Sequence, residues 1–246
     1  MAKVVCSILI VFVPFVVIRR MQTRARLNRD LLSAVQSLDS ASVDRLLAAG
    51  ASANVCQHDA EGSGILQRVL SAFLQKHGDP AIVLVFSRRL PEPVGRDRYY
   101  LIIRSLIEHG ADSGARSAEL GKPALEYAIT YGTPECVRLF LARGALKRLT
   151  EEEVSICIAL SDTPTCELLL LYGANANSRA KGGMTALMAA QSPDKVDLLL
   201  RHGADPYLTD STGRDAMSWM TSGKELLDEA DCAAVIQELR KHGVEH

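Results

Sequence analysis

Apolar residues recur along the chain at the spacing of amphipathic helices, and a glycine repeatedly closes the apolar run. The stretch "LLLRHGADP", Leu198 to Pro206, shows the pattern, with adjacent leucines, two polar residues and then a glycine. Glycine adopts at little cost the left-handed backbone that ends many helices. These marker glycines are Gly50, Gly110, Gly144, Gly173, Gly203 and Gly243, separated by 60, 34, 29, 30 and 40 residues. The pattern predicts a repeated unit in which a helix ends at each marker glycine.

A second helix is predicted upstream of the marker glycine, most clearly in "PALEYAITYGTPECVRLFLARGA". Leu125 and Ala128 fall on one face of a short first helix. Residues 132–134, Gly-Thr-Pro, suit a turn, and Val137 and Phe140 then resume helical spacing. Each unit is therefore predicted to contain two short antiparallel helices.

These segments resemble the ankyrin repeat, whose first helix opens T-P-L-H-x-A and whose second ends L-L-x-x-G-A-D. The resemblance is strongest in "GMTALMAA" with "VDLLLRHGADP" and in "PALEYA" with "LFLARGA". The family's threonine position is occupied by Pro123, Thr185 and Asp215. Its buried leucine position is occupied by Leu125, Leu187 and Met217. Its small buried position is occupied by Ala128, Ala190 and Met220. The family's histidine is replaced by Glu126, Met188 and Ser218. The resemblance covers roughly Leu27 to Gly243 and implies an all-α helical solenoid of about six helix-turn-helix repeats.

Irregular spacing indicates where the repeats have been altered. The 60-residue gap is interpreted as one long repeat with "GILQRVLSAFLQKHG" as its first helix and an insertion at 78–97. Asp79 and Pro80 are predicted to begin a short helix through Phe86, with a strand as the alternative for "AIVLVF". The loss of three residues between Thr185 and Gly203 is assigned to the inter-helix turn "QSPDK". In the last copy, Asp231 is predicted to cap the final helix.

The N-terminus differs from the rest of the chain. Residues 1–20 are predicted as a hydrophobic helix whose apolar run, 4–18, anchors the protein in a membrane, and residues 21–26 form a basic linker to the repeats at 27–246. Arginines after the run place the repeats in the cytoplasm by the positive-inside rule. An uncleaved or atypically cleaved export signal and a buried N-terminal segment are the alternatives.

Charge and motifs narrow the classes of function. Without residues 1–30 the chain has 22 basic and 28 acidic side chains, which disfavours nucleic acid as a partner. The six cysteines form no C-x-x-C pair, and Cys136, Cys157 and Cys166 occupy apolar helix positions. The chain has no G-x-S-x-G, phosphate-binding loop or H-E-x-x-H motif, and "EEE" after Thr150 is interpreted as a capped helix start. We therefore predict a protein with no enzyme activity, cofactor, metal or small-molecule substrate.

The remaining functional surface is formed by the loops that join successive repeats. The resemblance implies that these loops, called fingers, form with the first helices a concave groove that binds another protein. The fingers are assigned to residues 51–62, 111–121, 145–150, 174–183 and 204–213, and the candidate contact residues are Arg116, Lys147, Arg148, Arg179, Lys181 and Tyr207. The predicted function is a membrane-tethered scaffold that binds a protein partner. The alternative is an exported, periplasmic or secreted regulatory or protective partner of another enzyme.

Overall fold

The structure is a computed structural model of the 246-residue chain. It describes the backbone of residues 2–57, 79–86, 94–222 and 229–244, and the side chains of 19–57, 79–86, 97–221 and 231–244. Within these ranges the regular structure is helical, and strand-like pairing is confined to three isolated bridges. The all-α, helix-turn-helix prediction is confirmed.

The helices follow one another in pairs along the chain. They are α1 (Ala2–Ser37), α2 (Ser40–Ala48), α3 (Ala81–Leu84), α4 (Val94–Glu108), α5 (Ala124–Tyr131), α6 (Pro134–Ala142), α7 (Glu151–Leu160), α8 (Thr163–Leu171), α9 (Pro193–Arg201), α10 (Ala216–Ser222) and α11 (Glu229–Lys241). Two 3₁₀ helices, Ala145–Arg148 and Lys181–Gly183, lie in the fingers. The chain divides into two compact units, Met1–Ala124 and Leu125–His246.

In the first unit, the C-terminal part of α1 forms the first helix of the first repeat. Leu31 and Val35 are fully buried, and α1 packs on α2 and α3. The helix is continuous through residues 21–26, which were predicted to be a linker. No helix among the residues with described side chains is long and apolar enough to span a bilayer. The predicted membrane segment, 4–18, lies outside those residues.

Backbone pairing sets the register of the second repeat. Cys56 pairs with Pro80 as Arg116 pairs with Pro123. The amide of Ala81 donates to the Val55 carbonyl at 2.9 Å, and that of Ala124 donates to the Ala115 carbonyl at 2.8 Å. Because Pro80 thus holds the position of Pro123, α3 begins the first helix of this repeat. The predicted short helix is confirmed, although it ends at Leu84 and not at Phe86. The first helix predicted at 64–78 lies outside the described residues.

The predicted capping role of Asp79 is wrong. Pro80 is the residue that precedes α3, and it makes no side-chain capping bond. The Asp79 carboxylate instead accepts hydrogen bonds from the Ser117 hydroxyl at 3.0 Å and from the Ala118 amide at 2.7 Å. This aspartate therefore connects the start of α3 to the finger at 111–121. The contact is between segments distant in sequence, so local helix-start rules could not predict it.

In the second unit, helix boundaries follow local capping chemistry. The Thr133 hydroxyl accepts from the Cys136 amide at the start of α6. The predicted cap at Thr150 is confirmed, since Thr150 and Glu153 bond each other's backbone amides at the start of α7. The predicted cap at Asp231 is wrong, because α11 already begins at Glu229.

The short repeat at 185–203 has lost its first helix rather than its inter-helix turn. Residues 186–189 form only a turn where the repeat at 124–144 has the eight-residue α5. The next helix, α9, keeps a regular start, with the Ser192 hydroxyl accepting from the Lys195 amide at 3.3 Å. The assignment of the missing residues to "QSPDK" is therefore wrong. The second helix is preserved because it carries Val196 and Leu199, both fully buried.

Candidate partner-binding site in the finger loops

Three fingers, those that follow Gly50, Gly110 and Gly173, close on the next first helix through a backbone bridge. In the second unit this bridge joins Arg179 and Thr185, and the Ala180 amide donates to the Met184 carbonyl at 2.8 Å. The next finger lies directly against this one, because the Ser211 amide donates to the Gly182 carbonyl at 2.7 Å. The fingers at 174–183 and 204–213 are therefore joined through their main chains.

Asparagine side chains fix the bases of two fingers in the same way. Asn54 donates from Nδ2 to the Gly110 carbonyl at 2.9 Å and accepts on Oδ1 from the Asp112 amide at 2.6 Å. Asn177 makes the equivalent pair of bonds, to the Gly203 carbonyl at 2.9 Å and from the Asp205 amide at 2.7 Å. Each amide thus joins one finger to the backbone of the following repeat. Neither residue was predicted from the sequence, although each lies four positions after a marker glycine.

Three of the six candidate contact residues help to hold the fingers together. Arg116 is exposed, and its guanidinium donates to the Gly121 carbonyl at 3.1 Å within its own finger. Arg179 donates to the Thr209 carbonyl of the neighbouring finger. Tyr207 is 58% exposed, and its hydroxyl donates to the Gly243 carbonyl at 3.4 Å. These side chains have structural partners as well as exposed surface.

The other candidates lie on the 3₁₀ helices of two fingers. Lys147 and Arg148 are exposed on the helix that follows Gly144. Lys181 is exposed at the finger tip formed by the second 3₁₀ helix. The structure therefore brings Arg179 and Lys181 together in one finger, and Lys147 and Arg148 in another. Arg116 belongs to the other compact unit.

A charged cluster at the base of the finger at 204–213 was missed by sequence reasoning. Asp210 accepts on Oδ1 from the Thr212 hydroxyl at 2.7 Å and on Oδ2 from the Trp219 indole at 3.0 Å. Arg214 bonds the same carboxylate and lies 3.9 Å from the centre of the Trp219 ring. The Thr212 hydroxyl contributes most to lowering the pKa of Asp210. Only the sequence spacing of four between Asp210 and Arg214 could have indicated this cluster.

The buried cysteines have the properties of small apolar core residues, as predicted. Cys136, Cys157 and Cys166 are buried and in the thiol form. Burial raises the pKa of all three, and that of Cys157 to about 12. A thiol that stays protonated at neutral pH is a poor nucleophile and a poor metal ligand. These residues therefore contribute packing.

Comparison with known protein families agrees with this geometry. The ankyrin repeat model matches residues 182–211. A Treponema pallidum (strain Nichols) protein described as ankyrin repeat-containing is 29% identical over 126 residues, which are 48% of this chain and 42% of that protein. The mouse B-cell lymphoma 3 protein homolog is 30% identical over 143 residues, 55% of this chain and 31% of that protein. The chain thus spans less than half the length of these curated relatives.

Solved structures give the same result for the fold. The crystal structure of EF0377, an ankyrin repeat protein, superposes with a TM-score of 0.61 at 18% identity, over 87% of this chain and 98% of that one. The chain therefore has the fold of ankyrin repeat proteins, and residues 182–211 match the family's repeat.

Proposed function

We propose that the chain is a non-enzymatic interaction module that binds a protein partner through its fingers and first helices. Ankyrin repeat proteins are protein-interaction modules, and the coarse function follows from the family. The observation that carries the proposal is that the fingers at 174–183 and 204–213 are joined through their main chains while Lys181 and Tyr207, one in each finger, remain exposed. A surface that is already ordered loses little conformational entropy on binding.

The contact residues proposed are Arg116, Lys147, Arg148, Arg179, Lys181 and Tyr207. Arginine and tyrosine contribute disproportionately to interface energy, and lysines on a finger tip favour an acidic partner surface. Arg116 and Arg179 also bond finger carbonyls, so their substitution disturbs finger shape as well as contact. Lys147 and Lys181 are therefore the cleaner positions at which to test binding.

The binding test compares two charge reversals in the full-length protein. Lys147→Glu/Lys181→Glu should reduce recovery of the natural partner in affinity capture from cells that produce the protein. Arg138→Glu, on the exposed face of α6 outside the fingers, serves as the matched control and should leave recovery unchanged. Equal recovery with both variants would contradict the finger proposal.

We also propose that residues 4–18 anchor the chain in a membrane, with the repeats on the cytoplasmic side. The apolar run and the five arginines that follow it support this topology. A reporter active only in the cytoplasm, fused after the repeats, should be active. Activity of an export-dependent reporter at the same position would instead support the exported alternative, a partner of another enzyme outside the cytoplasm.

A further inference from the structure

Two helices of the last two repeats bring three metal-binding side chains together. Glu238 and His242 lie four residues apart on one face at the end of α11, and Asp197 faces them from α9. His242 Nε2 is 3.0 Å from Asp197 Oδ1 and 3.8 Å from Glu238 Oε1. One ligand atom from each of the three side chains lies within 4.8 Å of the other two. No other such group of three occurs among the residues with described side chains.

Neighbouring cations orient the two carboxylates. Arg201 binds Asp197 Oδ2 at 2.6 Å, and Lys241 binds Glu238 Oε2 at 2.7 Å. Each carboxylate therefore has one oxygen held by a cation and the other directed towards the imidazole of His242. Partners of this kind orient metal ligands in known sites. Arg201 and Lys241 are 71% and 61% exposed, whereas Asp197 and Glu238 are 24% and 15% exposed.

We propose that Asp197, Glu238 and His242 bind a divalent transition-metal ion of the Zn²⁺ class. One imidazole nitrogen and two carboxylate oxygens form a donor set that suits zinc and its neighbours better than magnesium or calcium. Metal–ligand bonds of about 2.0–2.2 Å require ligand atoms separated by about 4 Å or less. The ligand atoms here lie within 4.8 Å of one another, so small side-chain rotations are enough to bring all three to bonding distance of one ion. Three protein ligands leave a coordination position for water. The ion joins α9 to α11.

A simple ion pair between His242 and Asp197 is the other interpretation of this geometry. A protonated His242 would bind Asp197 without any metal, and zinc would then have no specific effect on the protein. Metal binding instead requires the neutral imidazole and releases any proton it carries. Zinc uptake and its stoichiometry therefore distinguish the two interpretations.

The test uses full-length protein that carries no polyhistidine tag and has been stripped of metal. Zinc is titrated into this protein in the presence of a chromogenic chelator, which competes with the protein for the ion. The wild-type chain should bind one equivalent of Zn²⁺. His242→Ala should lower the affinity more than about 100-fold, beyond the loss typical of removing an outer-shell partner. His202→Ala removes an exposed histidine at the end of α9 and is the matched control, with no change expected.

Asp197→Asn tests the contribution of the second helix with a side chain of nearly the same shape. Its affinity for zinc should fall while its circular dichroism spectrum matches that of the wild type. Zinc should also raise the Tm of the wild type and leave that of His242→Ala unchanged. Absence of stoichiometric binding, wild-type affinity in His242→Ala, or displacement of zinc by excess Mg²⁺ would each overturn the proposal.

Discussion

The repeats at 124–144 and 185–203 end alike but begin differently. Both have a second helix of nine residues that follows a hydroxyl cap and ends before a marker glycine. The first has α5 as a complete helix, whereas the second has only a turn at 186–189. The comparison shows that the second helix and the finger define the repeat, while the first helix can shrink if other contacts replace it.

Lys195 provides one such contact in the short repeat. It occupies the third position of α9, where the longer repeat has the fully buried Cys136. The Lys195 ammonium donates to the carbonyl oxygens of Ala159 at 2.8 Å and Ser161 at 2.6 Å, at the end of α7. Carbonyls at a helix end have no partner within the helix, and a cation is favourable there. Burial lowers the pKa of Lys195, and the nearby Cys166 and Asp162 oppose this shift.

The largest effect is expected from removing this ammonium. Lys195→Met leaves two carbonyls without their donor and should reduce the free energy of unfolding by about 2–3 kcal/mol. Urea unfolding in mild detergent, followed by circular dichroism, measures the change. Lys147→Met, at an exposed position, is the matched control and should change stability little. Equal stability of the two variants would mean that Lys195 does not compensate for the lost helix.

The turn between the helices of the longer repeat gives the second test. A Cβ atom at Gly132 would lie 2.5 Å from the backbone oxygen of Ala128. Gly132→Ala should therefore cost about 2 kcal/mol, because a backbone atom must move. At Gly213 nothing lies within 4 Å of a Cβ atom, so Gly213→Ala carries only the strain of its positive φ of 82°. If Gly213→Ala proved the more destabilising in the same assay, the steric argument would be wrong.

A smaller effect is expected at the finger that precedes the short repeat. Asn177→Ala removes both amide hydrogen bonds to the next repeat and should cost about 1 kcal/mol, because these bonds are partly exposed to water. Asn54→Ala makes the same test in the first unit and should give a similar loss. Thermal unfolding of both variants checks this equivalence, and a loss confined to one of them would refute it.

The smallest effect on overall stability is expected from acid at Asp210. The pKa of its carboxyl is lowered in the folded protein, so its contribution is present above the ordinary value of 3.8 and is lost as pH falls below it. The single tryptophan, Trp219, bonds this carboxylate and reports the change by fluorescence. We expect its emission in the wild type to stay constant as pH falls through 3.8 and to change only at lower pH, where the folded carboxylate takes up its proton. In Asp210→Asn the altered emission should already be present at neutral pH, and an unaltered spectrum would contradict the assignment.

Much of the fold was predictable because it depends on local rules. Leu125 and Ala128 are buried where helical spacing placed them, and Leu187 is buried where the resemblance to the ankyrin repeat placed it. The marker glycines have positive φ angles, as a helix-ending glycine requires. The capping box at Thr150 was also predictable, since it involves residues three positions apart.

The candidate site was less predictable because a partner-binding surface depends on which side chains the fold itself uses. Arg116 and Arg179 were selected for their charge, yet both bond finger carbonyls. Asp79 bonds partners that lie 38 and 39 residues away in the sequence. Lys195 bonds partners that lie 34 and 36 residues away. No local pattern identifies such partners.

Local sequence patterns specified the second helices, the glycines that end them and the all-α class, because backbone conformation, capping and apolar spacing act over a few residues. Tertiary structure decided the register at Pro80, the reduction of the first helix at 186–189 and the convergence of Asp197 on Glu238 and His242. These features arise when successive repeats pack together. Packing selects contacts by distance in space, which the order of residues does not specify.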